Sequence, residues 1–187
     1  AGAGSQVGIT ELAKAKPDGY TLGYTNMPGT LSTYLDPERK AVYGRKDFSP
    51  VAVHAWSPGT IAVRPESPFK TLKELVDAAK TKPETIKVST VGLFSNTHMD
   101  LLLFEQAAKV KFAAVHFAEG AAAANSALLG GHIDASCQSA ANYVSLFKGN
   151  QIRILGIMDK QESKFLPGVK TMQSQGFDVV SGNTISV

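Results

Sequence analysis

Glycine and proline cut this chain into short β-rich runs that alternate with longer amphipathic ones, and that alternation constrains the fold more than any other feature. Strand-like runs separated by helical patterns imply strands joined by helical crossovers, an α/β architecture with parallel pairing. Tyr20 to Thr25, Ser49 to Val53 and Thr60 to Val63 read as strands, beside turn formers such as Pro17-Asp18-Gly19 and Ser57-Pro58-Gly59. Ile86 to Thr90, Ala113 to Phe117, Ile133 to Cys137 and Ile152 to Ile157 continue the series, largely apolar as buried parallel strands require. The clearest helix starts at Thr71, where Thr71 and Glu74 form a capping box and Leu72, Leu75, Val76 and Ala79 recur on one face. A second helix is expected from near Ser95, carrying Met99, Leu102, Leu103 and Gln106. A third runs from about Gly120 to Leu129 and stops at Gly130-Gly131, and a fourth runs from near Ser139 to Lys148-Gly149.

Composition narrows the function classes. With 187 residues, 43% hydrophobic and 19% charged, the chain is long enough for one large domain or two small ones and is not of disordered composition. The net charge is +3, but no basic run interleaves with aromatics as a nucleic-acid groove requires, so no nucleic-acid partner is expected. The apolar stretch around Ala121 to Leu129 is interrupted by Asn125 and Ser126 and falls short of a membrane span. One cysteine, Cys137, forbids an internal disulfide. The chain opens at Ala1 without an initiator Met or an apolar leader, which is expected of a processed or trimmed product.

Several strand-to-helix junctions place a glycine or polar residue where a helix begins: Gly92 to His98, Glu119-Gly120 and Gln138-Ser139. In a parallel sheet these junctions share the carboxyl edge, where free helix-start N–H groups and nearby hydroxyls can converge on one anion. Ser95 and Ser139 could equally cap their own helices, and the two roles are compatible. Gly2, Gly4 and Gly8 have the spacing G-x-G-x-x-x-G with no strand before them. They read as a turn into a helix with Ser5 near its N-cap rather than as a dinucleotide site. His54, His98, His116 and His132 lack metal-ligand spacing, so neither a metal nor a cofactor is expected. No G-x-S-x-G elbow or Walker lysine is present; an enzyme reading, a small-molecule hydrolase or transferase, would have to use Cys137 or His98.

Three motifs in order, Lys16-Pro17-Asp18-Gly19-Tyr20-Thr21-Leu22, Lys46-Asp47-Phe48-Ser49-Pro50-Val51 and Lys70-Thr71-Leu72-Lys73-Glu74-Leu75, resemble the substrate-binding proteins of tripartite tricarboxylate transporters, the Bug receptors. Leu128-Leu129-Gly130-Gly131-His132-Ile133-Asp134, Lys148 to Leu155 and Leu166-Pro167-Gly168-Val169-Lys170-Thr171 are similar to that family's later signatures. The resemblance implies a two-lobed, type II periplasmic-binding-protein-like α/β fold with parallel-rich sheets flanked by helices. Residues 1–59 plus 181–187 would form a first lobe, incomplete in this chain, and residues 60–180 the second. Family members normally carry a strand and loop before the Gly2-Ala3-Gly4 segment and a further stretch beyond the position of Val187. The implied protein is a periplasmic, monomeric receptor and not an enzyme. It would capture a small carboxylate (a di- or tricarboxylate, an aromatic acid or an amino acid) between its lobes and hand it to membrane transporter subunits. A sensory receptor would use the same cleft. Position by position, the resemblance assigns ligand contacts to Thr25 and Asn26 in the first lobe, and to Ser95, His98, Glu119, Gly120, Gln138 and Ser139 in the second. Phe94 stands where the family usually has glycine, Ala118 where an aromatic is usual and Ala123 where proline is usual. Phe94 is thereby a further expected contact, filling space or offering an apolar wall to an aromatic ligand.

Overall fold

The computed structural model describes residues 6–187. Of the glycine-rich opening, Gly2, Gly4 and Ser5 lie outside the described residues, while Gly8 falls inside helix α1 (Gln6–Lys14). The chain forms two compact units. One runs up to Trp56 and adds Phe94–Asn96 and Asn183–Val187; the other comprises Ser57–Leu93 and Thr97–Gly182.

The first unit contains α1, strand β1 (Thr25–Met27) and helix α2 (Gly29–Leu35). Strand β7 (Gly182–Ser186) runs antiparallel to β1, with Asn26 opposite Ile185. The Thr33 and Tyr43 hydroxyls lie 2.6 Å apart, and Tyr43 sets its ring edge-to-face with Phe48. Tyr20 to Thr25 is not the expected strand. The Asp18 carboxylate accepts the Tyr20 N–H at 3.1 Å and bends the backbone, while Tyr20 stands 93% exposed. β-propensity expresses packing on a half-buried pleated surface, and Tyr20, Leu22 and Tyr24 are exposed, so extended pairing begins only at Thr25.

The expected strand Thr60 to Val63 is present, whereas Ser49 to Val53 is corrected, since only Val53 of it is strand. A single long strand, β2 (Val53–Val63), runs through the expected turn Ser57-Pro58-Gly59, because the fixed φ of proline suits extended backbone as well as a turn. In the second unit the later part of β2 joins β3 (Lys87–Thr90), β4 (Ala113–His116), β5 (Ala135–Ser139) and β6 (Arg153–Ile157). β3 lies parallel to β4 and β5, as the alternating pattern predicts, but β2 is antiparallel to β5 and β6. The sheet is therefore mixed: its direction at β2 is set by where the chain enters the unit, which sequence periodicity does not encode.

Helices cover both faces of this sheet. Thr71 caps α3 (Leu72–Thr81), its hydroxyl accepting the Glu74 N–H at 3.2 Å while the Glu74 carboxylate accepts the Thr71 N–H at 3.1 Å. On one face Leu72, Leu75 and Val76 of α3, with Leu101 and Phe104 of α4 (Asn96–Ala108), pack against Ile61, Val63, Val88 and Cys137. On the other, Ala127 and Leu128 of α5 (Ala121–Leu129), with Tyr143, pack against Ala62, Ile154 and Ile157. Period-two alternation along β2 sends Ile61 and Val63 to one core and Ala62 to the other. Each large apolar side chain so buried contributes about 1.5–3 kcal/mol before chain entropy is subtracted. The expected fourth helix is interrupted: Ala140–Asn142 is a 3-10 turn, and α6 (Val144–Lys148) follows Tyr143 and ends at Gly149.

Candidate functional site

The site is built from the parallel part of the second unit's sheet. Thr90 pairs with His116 across β3 and β4, and Ser89 with Ser136 across β3 and β5, so the three strands end on the same edge. The segments leaving that edge are those after Thr90, the turn Phe117 to Gly120, and Ala140–Asn142. Each has a local reason for its shape. The Val91 N–H is taken by the Thr97 hydroxyl at 2.9 Å, and Gly120 closes its turn by donating to the Phe117 carbonyl at 3.1 Å. Gly120 then starts α5 at φ +99°, a conformation that favours glycine, and a side chain there would project into open space.

A buried polar network underlies the edge. The Ser89 hydroxyl donates to Ser136 Oγ at 2.7 Å, and Gln138 Nε2 donates to Asn125 Oδ1 at 2.8 Å and to Ser136 Oγ at 3.3 Å. Asn142 Nδ2 donates to Gln138 Oε1 at 3.3 Å, tying the turn after β5 back to the strand. Gln138 is fully buried, and both hydrogens of its amide are engaged within the protein. Asn125 and Asn142 are additions that sequence reasoning did not assign to the site; the signal for Asn125 was its place, with Ser126, inside a largely apolar helix. Ser139 is 7% exposed at the end of β5.

His98, in the first turn of α4, is largely buried and stands edge-to-face with His116, ring centroids 4.5 Å apart. Burial lowers its pKa from the ordinary value, proximity to His116 lowers it further, and Glu105 opposes both. His98, Glu119, Gly120, Gln138 and Ser139 all belong to the second unit, with Glu119 exposed on its turn. Thr25, Asn26, Phe94 and Ser95 belong to the first unit. Thr25 Oγ1 donates to the Ser186 carbonyl at 3.4 Å, and Asn26 is exposed. Phe94 is 44% exposed and adopts φ +58°, the left-handed region that favours glycine.

The enzyme alternative loses its nucleophile. Cys137 is fully buried on β5, and burial first, then the nearby Asp100, raises its thiol pKa well above the ordinary value, opposite to what an attacking thiolate needs. Among the described residues, no group of three His, Cys, Asp or Glu side chains is placed to hold a metal ion, and no helix is long and apolar enough to cross a membrane. The arrangement offers hydroxyls, imidazoles and helix-start amides on a sheet edge, a donor set suited to holding an anion.

Comparison with known proteins places the chain in a family. A family model described as the tripartite tricarboxylate transporter family receptor matches residues 1–186. The UPF0065 protein of the TAR-I ttuE-ttuC' intergenic region of Agrobacterium vitis is 30% identical over 94% of this chain and 50% of its own length. A solute-binding protein of the same family from Polaromonas, solved without ligand, is 30% identical at a TM-score of 0.79, covering 99% of this chain and 62% of that one. MatC from Rhodopseudomonas palustris, solved with bound malate, is 26% identical at a TM-score of 0.83, covering 99% of this chain and 63% of that one. The chain spans about half the length of the curated relatives it matches.

Proposed function

The chain belongs to the tripartite tricarboxylate transporter receptor family, and from that premise we propose that it binds a small carboxylate outside the cytoplasm for delivery to the membrane subunits of such a transporter. The observation that carries this reading is the parallel pairing of β3 with both β4 and β5, which sends three junctions to one polar edge. A carboxylate there accepts hydrogen bonds from helix-start N–H groups and hydroxyls, with no bond made or broken. Phe94, Ser95, His98, Glu119-Gly120 and Ser139 are the proposed contacts of the later segments, Thr25 and Asn26 those of the earlier one. Gln138 acts by holding Asn125 and Asn142 in place. We take the lobes to follow residues 1–59 with 181–187, and 60–180. The malate held by MatC supports a dicarboxylate as the first ligand to try.

The test is a thermal-shift screen against mono-, di- and tricarboxylates, aromatic acids and amino acids. A ligand at about 100 times its Kd stabilises the native state by about 2.7 kcal/mol, a shift of several degrees. The expected result is a stabilising acid whose effect shrinks in Ser95→Ala and Gln138→Ala. A screen in which no acid stabilises the protein overturns the reading.

A further inference from the structure

His116 ends β4 with its ring exposed at the edge just described, although neither the motif comparison nor its spacing singled it out as a contact. Two neighbours hold the ring. Its Nδ1 lies 2.7 Å from the hydroxyl of Thr90, its register partner on β3, and its ring meets that of His98 at an interplanar angle of 68°. Among the described residues, nothing engages the other ring nitrogen, Nε2. When the Thr90 hydroxyl donates to Nδ1, the hydrogen of the neutral ring sits on Nε2, and an anion placed there selects that tautomer. A ring held on one side by a hydroxyl and on the other by an aromatic contact presents its donor in a fixed direction, which is what discrimination between ligands needs.

We infer that His116 is a ligand-recognition residue whose Nε2–H donates to a carboxylate oxygen of the bound solute, with Thr90 and His98 positioning its ring. The inference rests on the receptor reading above. His98 complements this role: burial first, then proximity to His116, lowers its pKa, which favours the neutral ring that stands edge-to-face with His116. The nearby Glu105 is occupied elsewhere, accepting from Lys111 Nζ at 2.7 Å and from the Phe112 N–H at 2.8 Å.

The test titrates the full chain with malate, succinate and acetate by calorimetry, comparing the wild type with His116→Phe and His116→Gln. Phenylalanine keeps an aromatic ring against His98 but has no donor; glutamine keeps an N–H near the Nε2 position. For an acid that binds, His116→Phe is expected to weaken affinity about ten-fold or more, the loss of one hydrogen bond to a charged group, with most of it recovered in His116→Gln. A second readout needs no variant. In protein with 15N-labelled histidine, saturation with the same acid should shift the Nε2 resonance of His116 while exposed His132 stays put. Equal affinities in all three proteins, or an unmoved Nε2 resonance in a saturated wild type, overturns the inference and leaves the receptor reading intact. Absence of binding by any acid in the thermal screen removes the reading and the inference together.

Discussion

Asp100 shows how much of a residue's behaviour is decided by its surroundings. It is fully buried near the start of α4; Oδ1 accepts the Ser181 hydroxyl at 2.5 Å, and Oδ2 has no partner. Burial pushes its pKa up to about 6, and the Ser181 hydrogen bond opposes this only in part. The folded protein therefore holds this proton more tightly than the unfolded chain does. Its contribution is most favourable below the ordinary carboxylate value of 3.8 and is lost as pH rises to about 6. Asp100→Asn should accordingly stabilise the protein at neutral pH, by an amount on the order of 3 kcal/mol, and little at about pH 4. Urea unfolding at both pH values measures the difference; an equal effect at the two would show that the burial cost is not ionic. Nothing in the sequence near Asp100 announces this, since Gly59, Met158 and Ser181 come to it from distant segments. The same holds for Gln138: its position at a strand end was legible, but its partners Asn125 and Asn142 were assigned only by the fold.

At the scale of elements, what is local was legible. The α3 capping box was read from Thr71 and Glu74 and is formed in both directions, because its hydrogen bonds span only three residues. Thr71→Ala should cost about 1 kcal/mol, measurable as a lower urea midpoint with an unchanged slope. A loss below a few tenths would mean that water replaces the hydroxyl without penalty. The Gly130-Gly131 and Lys148-Gly149 stops also end helices where expected, at Leu129 and Lys148. What depends on a partner was misread. Tyr20 to Thr25 has strand composition but exposed side chains and an Asp18-bonded turn, and Ser57-Pro58-Gly59 has turn composition but continues β2. Strand β7 was not anticipated, since Gly182 to Ser186 becomes a strand only by pairing with residues such as Thr25 and Asn26 far earlier in the chain.

For the molecule as a whole, the distribution of buried surface sets an order of opening. Two apolar clusters clamp the second unit's sheet, whereas the stretch around Tyr20 and Leu22 is exposed and makes no strand. Native-state hydrogen exchange should therefore find the amides of Ile61 to Val63 and Ala135 to Cys137 among the slowest, and those of Gly19 to Leu22 among the fastest. Comparable protection in the two segments would contradict the core assignment. The sequence by itself determined the α/β class, the family, the α3 capping box, the glycine stops of two helices and the polar character of the strand ends. These are written in residue spacing and in contacts a few positions apart. Only the tertiary structure decided the antiparallel direction of β2, the pairing of β7, the closure of the Gln138 network and the meeting of His98 with His116. Each of these brings together residues far apart in the chain, and such encounters are fixed by which faces must be buried against one another, not by any pattern local to either partner.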